Sequence, residues 1–420
     1  MQESTVVSTR RRQGPRPERR LLRLLGPAFV AAIAYVDPGN VAANLTAGAR
    51  YGYLLVWVLV AANALAVLIQ YLSAKLGLVT GASLPQLLGR NLRRGPRLAF
   101  YGQAQVVAIA TDLAEVIGGA VALQLLFGLP LLLGALIVGA VSLGLLLLQS
   151  GPNGHRRHTF QFVVMGLLLV ITLGFLAGLF FSPPDWRAAA DGLIPRFGGS
   201  GTVLLAASML GATVMPHAIY VHSSLSRDHH GQSRGEGIGR MLRATRWDVL
   251  ASLAVAGSVN IGMLLLAASA LPGTPGTDSL EGAHAAITQN LGPVVGVAFG
   301  IGLLASGLAS TSVGAYAGAE LVAGLLHARV PLLLQRLITL VPALVIVGLG
   351  TDPTTALVIS QAVLSLGIPF ALVPLAVYTG RRSLMGAQAN SPLLRVAIWT
   401  ATGLIVFLNI ALVVLTGLGD

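Results

Sequence analysis

Apolar residues run along this chain in blocks of about twenty or more, parted by short polar breaks, from residue 21 almost to the C-terminus. Such blocks match the ~20 residues that a helix needs to cross a ~30 Å hydrocarbon layer. The pattern predicts eleven membrane-spanning helices, over 21–48, 52–79, 98–126, 129–149, 159–182, 200–225, 246–271, 293–327, 331–350, 354–379 and 394–417. The short alternating segments of a transmembrane β-barrel are a different pattern, so the expected class is all-α integral membrane.

Two blocks differ from their neighbours. Asp37-Pro38-Gly39-Asn40 interrupts the first and Met215-Pro216-His217 the sixth. Proline inside a helix removes a donor and leaves a carbonyl unanswered, at ~3 kcal/mol in a soluble helix, and lipid offers no substitute partner. Each break opens a set of five blocks. An odd repeat makes the second set enter the membrane from the opposite side, so the expectation is two inverted repeats with a site between the two broken helices. Residues 21–420 are read as one transmembrane domain: repeat one over 21–182, repeat two over 200–379 and an extra helix over 394–417. Residues 1–20 are expected to be a disordered basic tail.

Composition supports the class, since 55% of the 420 residues are hydrophobic and only 10% are charged. The net charge of +12 raises the question of nucleic acid, which placement answers. With the N-terminus inside, 24 of the 27 basic residues fall on the cytoplasmic side, and only Arg50, Arg187 and Arg196 fall outside. Cytoplasmic basic loops resist translocation, so the charge reports topology. The expectation is a multi-pass protein of the plasma (inner) membrane, N-terminus cytoplasmic and C-terminus extracytoplasmic, with no nucleic-acid partner. The basic head runs into a full-length block with no small-residue cleavage pattern, so no cleaved signal is expected. Without cysteine, disulfides, thiolate metal sites and cysteine nucleophiles are excluded. No phosphate-binding Gly loop, HExxH motif or nucleophile elbow occurs, so the chain is not expected to be an enzyme, to hold a cofactor or to use ATP.

Polar residues inside the apolar blocks carry the candidate chemistry. Asp37 and Asn40, three residues apart, can turn a carboxylate and an amide oxygen toward one cation together with freed carbonyls. Met215 adds a thioether, which gains little from Ca²⁺ or Mg²⁺ and more from Mn²⁺, Fe²⁺ or Cd²⁺. Gln105, Asp112 and Glu115 are spaced seven and three apart and share one stripe of the third block. Two acids in an apolar block suit a proton relay or an ion pair, with Arg336 as the expected partner. His217 and His222 place imidazoles near the sixth-block break. Gly314 and Gly318 read as a helix-packing face, and Asp248 and Glu320 as solvated or paired residues at helix ends.

The stretches AYVDPGNVAANLTAGARYGY and GATVMPHAIYVHSS resemble the Nramp (natural resistance-associated macrophage protein) divalent-metal transporters. Either motif alone is weak, and the two together are specific. The resemblance extends over nearly the whole chain, through ATDLAE, LLASGLASTSVGAYAG, RLITLVPA and SQAVLSLGIPFALVPL. It implies a LeuT-like fold, proton-coupled uptake of Mn²⁺ or Fe²⁺ by alternating access, and metal ligation by Asp37, Asn40, Met215 and the Ala212 carbonyl, with Gln361 joining when the site closes. It also implies a proton pathway through Asp37, His217, Asp112, Glu115, Arg336 and His222. Gln105 and Gln335 depart from the family pattern, which has a glutamate and an arginine there; opposite charges are lost together. The expected partners are the metal ion, protons and the bilayer, the chain acting as a monomer. Two other readings stay open: a LeuT-like carrier of an amino acid or Mg²⁺, and an uncoupled metal channel.

Overall fold

The computed structural model describes residues 26–149, 154–232, 237–274, 276–277, 279–328 and 330–418. The expected tail over 1–20, Arg234 and Arg329 lie outside the described residues, as do the side chains of Arg156 and Arg157.

Helices and their connections make up what is described, with no strand among the described residues. In chain order they are α1 (Pro27–Ala32), α2 (Pro38–Tyr51), α3 (Val56–Thr80), α4 (Leu84–Asn91), α5 (Arg94–Phe127), α6 (Leu131–Gln149), α7 (Gly154–Leu176), α8 (Trp186–Asp191), α9 (Ser200–Thr213), α10 (Pro216–Gln232), α11 (Ile238–Ala270), α12 (Leu280–Leu291), α13 (Pro293–Leu321), α14 (Leu332–Gly348), α15 (Pro353–Gly380), α16 (Arg382–Met385) and α17 (Pro392–Leu418). Eight stretches of these are long and apolar enough to cross a membrane, among the described residues. Shorter apolar helices, Pro27–Val36, Leu131–Leu145 and Leu333–Gly348, stand at the first, fourth and ninth predicted blocks.

Both predicted breaks are present. α1 tightens into one 3₁₀ turn, Ile33–Val36, after which Asp37 is extended at ψ 167° and α2 restarts at Pro38. α9 stops at Thr213, Val214 leaves helical geometry at ψ 81°, and α10 restarts at Pro216. Proline suits each restart because the first helical position needs no donor. Around these broken elements, α13 packs on α5 and α7, α11 on α2 and α3, and α10 on α3.

The short helices α4, α8, α12 and α16 lie between the predicted blocks and were not expected from hydropathy. α4 begins with a capping box, Ser83 Oγ accepting from the Gln86 amide and Gln86 Oε1 accepting from the Ser83 amide. Its buried Leu84, Leu87 and Leu88 turn inward, and Gly89 meets the backbone of Gly324 in the π turn Val322–Leu326 that ends α13.

Two basic residues assigned to the cytoplasmic rim are not at the surface. Lys75 is buried in α3, its Nζ donating to Asn390 Oδ1 at 3.0 Å. Arg336, about one turn into α14, is wholly buried and ion-paired with Asp112. Hydropathy places a residue along the axis but not around it, and both side chains turn toward the bundle. Asp248 is likewise not solvated: buried in α11, it accepts from the amides of Gly26 and Ala28 at 3.0 and 3.1 Å and so caps the start of α1. Glu320 is paired, at 2.9 Å from Arg227, which also holds Asp228.

Candidate functional site

The carbonyls released at the first break are answered by side chains from distant helices. Asn260 Nδ2 donates to the Tyr35 carbonyl at 2.7 Å, and Ser306 Oγ donates to that of Val36. Asn44 Nδ2 holds Asn260 in place at 3.0 Å. These bonds fix an unwound strand of backbone where lipid could not. Asp37 caps α2, with Oδ1 accepting from the Asn40 amide at 2.8 Å. Its other oxygen, Oδ2, is buried and makes no hydrogen bond.

Across from it, the end of α9 brings the Ala212 carbonyl to the same place. Asn40 Nδ2 donates at once to Asp37 Oδ1 at 2.7 Å and to Ala212 O at 2.9 Å. One amide therefore joins the two breaks, bridging two oxygens that both attract positive charge. Met215, in the second break, is wholly buried in the same core as Val36 and Val41. Gln361, on α15, lies over Gly39: a methyl at Gly39 would overlap the Gln361 amide and come within 3.2 Å of Asp37 Oδ2. Neither polar atom of the Gln361 amide makes a hydrogen bond. Asp37, Asn40, Ala212 and Gln361 thus meet at one junction, while Met215 lies buried between α9 and the restart of α10, three residues after Ala212.

A cavity of about 350 Å³ reaches that junction from one end of the bundle, running from Arg50 and Tyr51 along α2 to Gly39 and Gln361. Arg50, Tyr51, Gly201 and Leu204 line it toward the end of the bundle where α9 begins. At the other end the bundle is closed by Asp248 on the start of α1, by the Arg227–Glu320 pair, and by Ser73 Oγ donating to the Ile219 carbonyl at 2.6 Å.

A second polar region leads away from the junction. A cavity of about 10 Å³, space for about one water, is lined by Asp112, Glu115, His217, Thr111 and Tyr220 among others. Both carboxylate oxygens of Glu115 and both ring nitrogens of His217 are buried without a protein partner. Beyond them Asp112 pairs with Arg336, whose Nε donates to Ser142 Oγ at 3.1 Å. Gln105 completes the predicted stripe, its Oε1 accepting from Gln335 Nε2 at 3.2 Å. Gly314 and Gly318 do form a packing face within the chain, against Glu115 and Gln335. His222 lies apart from Glu115, bonded through Nδ1 to Gln70 Oε1 at 2.7 Å, and Gln70 Nε2 continues to the Tyr35 hydroxyl at 2.7 Å.

Sequence reasoning missed Asn260, Ser306, Asn44 and Gln70. Their signal was a polar residue inside an apolar block, the same signal that picked out Asp37. What was lacking was any marker of the partner, since Tyr35 and Asn260 stand 225 residues apart.

Among the described residues no three His, Asp or Glu side chains cluster as a metal centre. The junction instead combines one carboxylate with neutral oxygen donors. A single charge suits an ion that must both bind and leave.

A family model described as natural resistance-associated macrophage protein-like matches residues 28–415. The divalent metal cation transporter MntH of Mycobacterium tuberculosis (strain H37Rv) is 55% identical over 397 residues, covering 94% of this chain and 92% of that one. A manganese transporter from Eremococcus coleocola superposes with a TM-score of 0.86 at 30% identity, over 96% of this chain and 88% of that one. MHP1, a nucleobase-cation-symport-1 family transporter, superposes at 0.60 with 16% identity, over 93% and 91% of the two chains, a likeness of fold alone. These superpositions establish the LeuT-like arrangement, with the first and sixth helices broken.

Proposed function

The chain belongs to the natural resistance-associated macrophage protein family, and on that premise we propose that it imports divalent transition-metal ions, Mn²⁺ first, with Fe²⁺ and Cd²⁺ as further substrates, in company with protons. The observation that carries this reading is the Asn40 amide shared between Asp37 and the Ala212 carbonyl. Its NH₂ sits where a cation would be held by those same two oxygens. An arriving ion displaces it, the amide turns its own oxygen inward, and Met215 supplies the soft contact. Gln361, which lies over Gly39, completes the shell as the site closes. The bundle then rocks from the conformation open beside Arg50 to one open on the arginine-rich side, which on the basic-residue asymmetry is the cytoplasm.

The proton follows the polar stripe. Asp37, His217 and Glu115 pass it toward Asp112 and Arg336, and the small cavity between them has room for a connecting water. Gln105 and Gln335 are neutral, so they hold the end of the stripe together without exchanging a proton. His222, joined through Gln70 to Tyr35, belongs to the inner vestibule. On this reading the chain works as a monomer in the inner membrane.

An amino-acid carrier would leave small residues at the breaks for the substrate carboxylate; Asp37 would repel it. A Mg²⁺ carrier would want a hydrated ion among oxygens, and Met215 offers none. The test is Mn²⁺ uptake into proteoliposomes with protons counted by an internal pH dye. Expected are uptake that speeds as the outside is acidified, internal acidification that accompanies metal, and loss of both in Asp37→Asn. Metal entering without protons would convert the reading to an uncoupled channel, and unimpaired uptake in Asp37→Asn would end it.

A further inference from the structure

α15 and α17 lie against each other in opposite directions, with Gly380 near Arg395 at one end and Ser365 near Asn409 further in. Three exposed arginines gather at the first end. Arg395 Nη2 donates to the Gly380 carbonyl at 3.3 Å, Arg381 lies over the Tyr378 ring at 5.4 Å from its centroid, and Arg382 follows directly on α16. The sequence offers this cluster no local neutralisation, for no Asp or Glu occurs anywhere from 353 to 419.

Deeper along the same two helices the surface is hollow. A groove of about 250 Å³ is lined by Leu366, Pro369, Val406, Asn409, Ile410 and Val414. Between the arginines and this groove, Trp399, Gly403 and Val406 fall at spacings of four and three on one face of α17. Trp399 is 43% exposed, and a methyl placed on Gly403 would meet nothing within 4 Å, so the track between cluster and groove is open. Val406 follows Arg395 by eleven residues, which is ~16 Å along a helix, close to the ~15 Å half-thickness of the hydrocarbon layer. A cationic cluster with an apolar hollow one leaflet below it, on one pair of helices, fits a molecule with an anionic head and an apolar tail of that length.

We propose that the α15–α17 face is a binding site for an anionic phospholipid, its phosphate held by Arg381, Arg382 and Arg395 and one acyl chain lying past Trp399 and Gly403 into the groove. Guanidinium groups match phosphate oxygens in geometry and charge. The hydrocarbon end rests on Asn409, whose Nδ2 donates at 2.6 Å to the Ser365 carbonyl. Ser365 precedes Pro369 by four, so this is the carbonyl that the proline leaves without its helical donor. The lipid therefore packs against the proline-interrupted turn of the helix that carries Gln361, and a seated chain steadies that turn. This last consequence rests on the metal-transport reading; the binding does not.

The test uses the full chain with Trp57, Trp186 and Trp247 changed to Phe, so that Trp399 alone fluoresces. In phosphatidylcholine vesicles, a small fraction of phosphatidylglycerol brominated on its acyl chains is expected to quench Trp399 several-fold more than the same fraction of brominated phosphatidylcholine. Arg381→Gln, Arg382→Gln and Arg395→Gln together are expected to abolish the difference. Gly403→Leu, which fills the track without touching a charge, is expected to reduce it strongly. Arg90→Gln, Arg93→Gln and Arg94→Gln, which remove equal charge elsewhere on that rim, are expected to leave it. Equal quenching by the two lipids in the parent, a preference that survives the first triple change or the filled track, or equal loss in the second triple overturns the site. In the chain with all four tryptophans, phosphatidylglycerol in detergent raises Tm where phosphatidylcholine does not, and the first triple change removes the rise; no difference between the lipids there also counts against it.

Discussion

Gly39 has no side chain, and that is its contribution. The Gln361 amide occupies the place a Cβ would take, with Asp37 Oδ2 just behind. Gly39→Ala is therefore expected to push Gln361 away from the junction and to lower Mn²⁺ uptake at least ten-fold while Tm and membrane insertion stay near those of the parent. Combining it with Gln361→Ala is expected to add little further loss, because the two changes act on one contact and do not sum. Met215 is the other residue whose atom type matters more than its size. Met215→Ala keeps the oxygen donors and removes the one soft atom, so Ca²⁺ and Mg²⁺ are expected to compete better against Mn²⁺ in uptake assays. Unchanged discrimination would remove the thioether from the argument. Both residues could be suspected from the chain, Met215 from its place beside Pro216 and His217. Only the fold shows that the glycine faces an amide from a helix more than 300 residues downstream.

At the scale of elements, the breaks are stable because other helices complete them. Asn260 from α11 and Ser306 from α13 donate to the two carbonyls that end the first 3₁₀ turn. Removing either donor leaves a buried carbonyl unpaired, at ~1–3 kcal/mol. Asn260→Ala and Ser306→Ala are each expected to lower Tm by several degrees and to slow transport, whereas Ser258→Ala, on an exposed face of α11, is expected to do neither. Where helices begin and end was legible to within a few residues for most blocks, because length and apolarity are local properties. The first and sixth blocks are each two helices, parted at the proline breaks that the sequence predicted. α4 and α8 were missed because eight and six residues are too few for hydropathy, although Ser83 and Asp185 are capping residues that a search for caps would find.

For the molecule as a whole, one small cavity brings His217, just after the second break, together with Glu115 and Asp112 on α5. Any coupling between metal and proton there passes through few groups. Gln105 and Gln335 lie at the far end of the stripe as a neutral pair. Gln105→Glu places a part-buried carboxylate against Gln335 at the end of the stripe and adds a titrating stop. Uptake is expected to become more steeply dependent on external pH, at similar maximal rate, measured as Mn²⁺ uptake across a pH series. An unaltered pH response would mean that the stripe ends before Gln105.

By itself the sequence determined that the chain is a membrane bundle, that its basic residues gather in alternate connections, and that two proline breaks interrupt it among polar and thioether side chains. Those properties follow from the solvent a segment must live in and from chemistry within a few residues, and both are written locally. The tertiary structure decided which distant atoms share a place: that Asn40 reaches Ala212, that Asn260 and Ser306 satisfy the unwound backbone, and that Arg336 and Lys75 turn inward from the rim. A contact between residues more than 150 apart leaves no periodic trace in the chain, because it depends on how helices rotate and tilt against each other, and only their packing sets that.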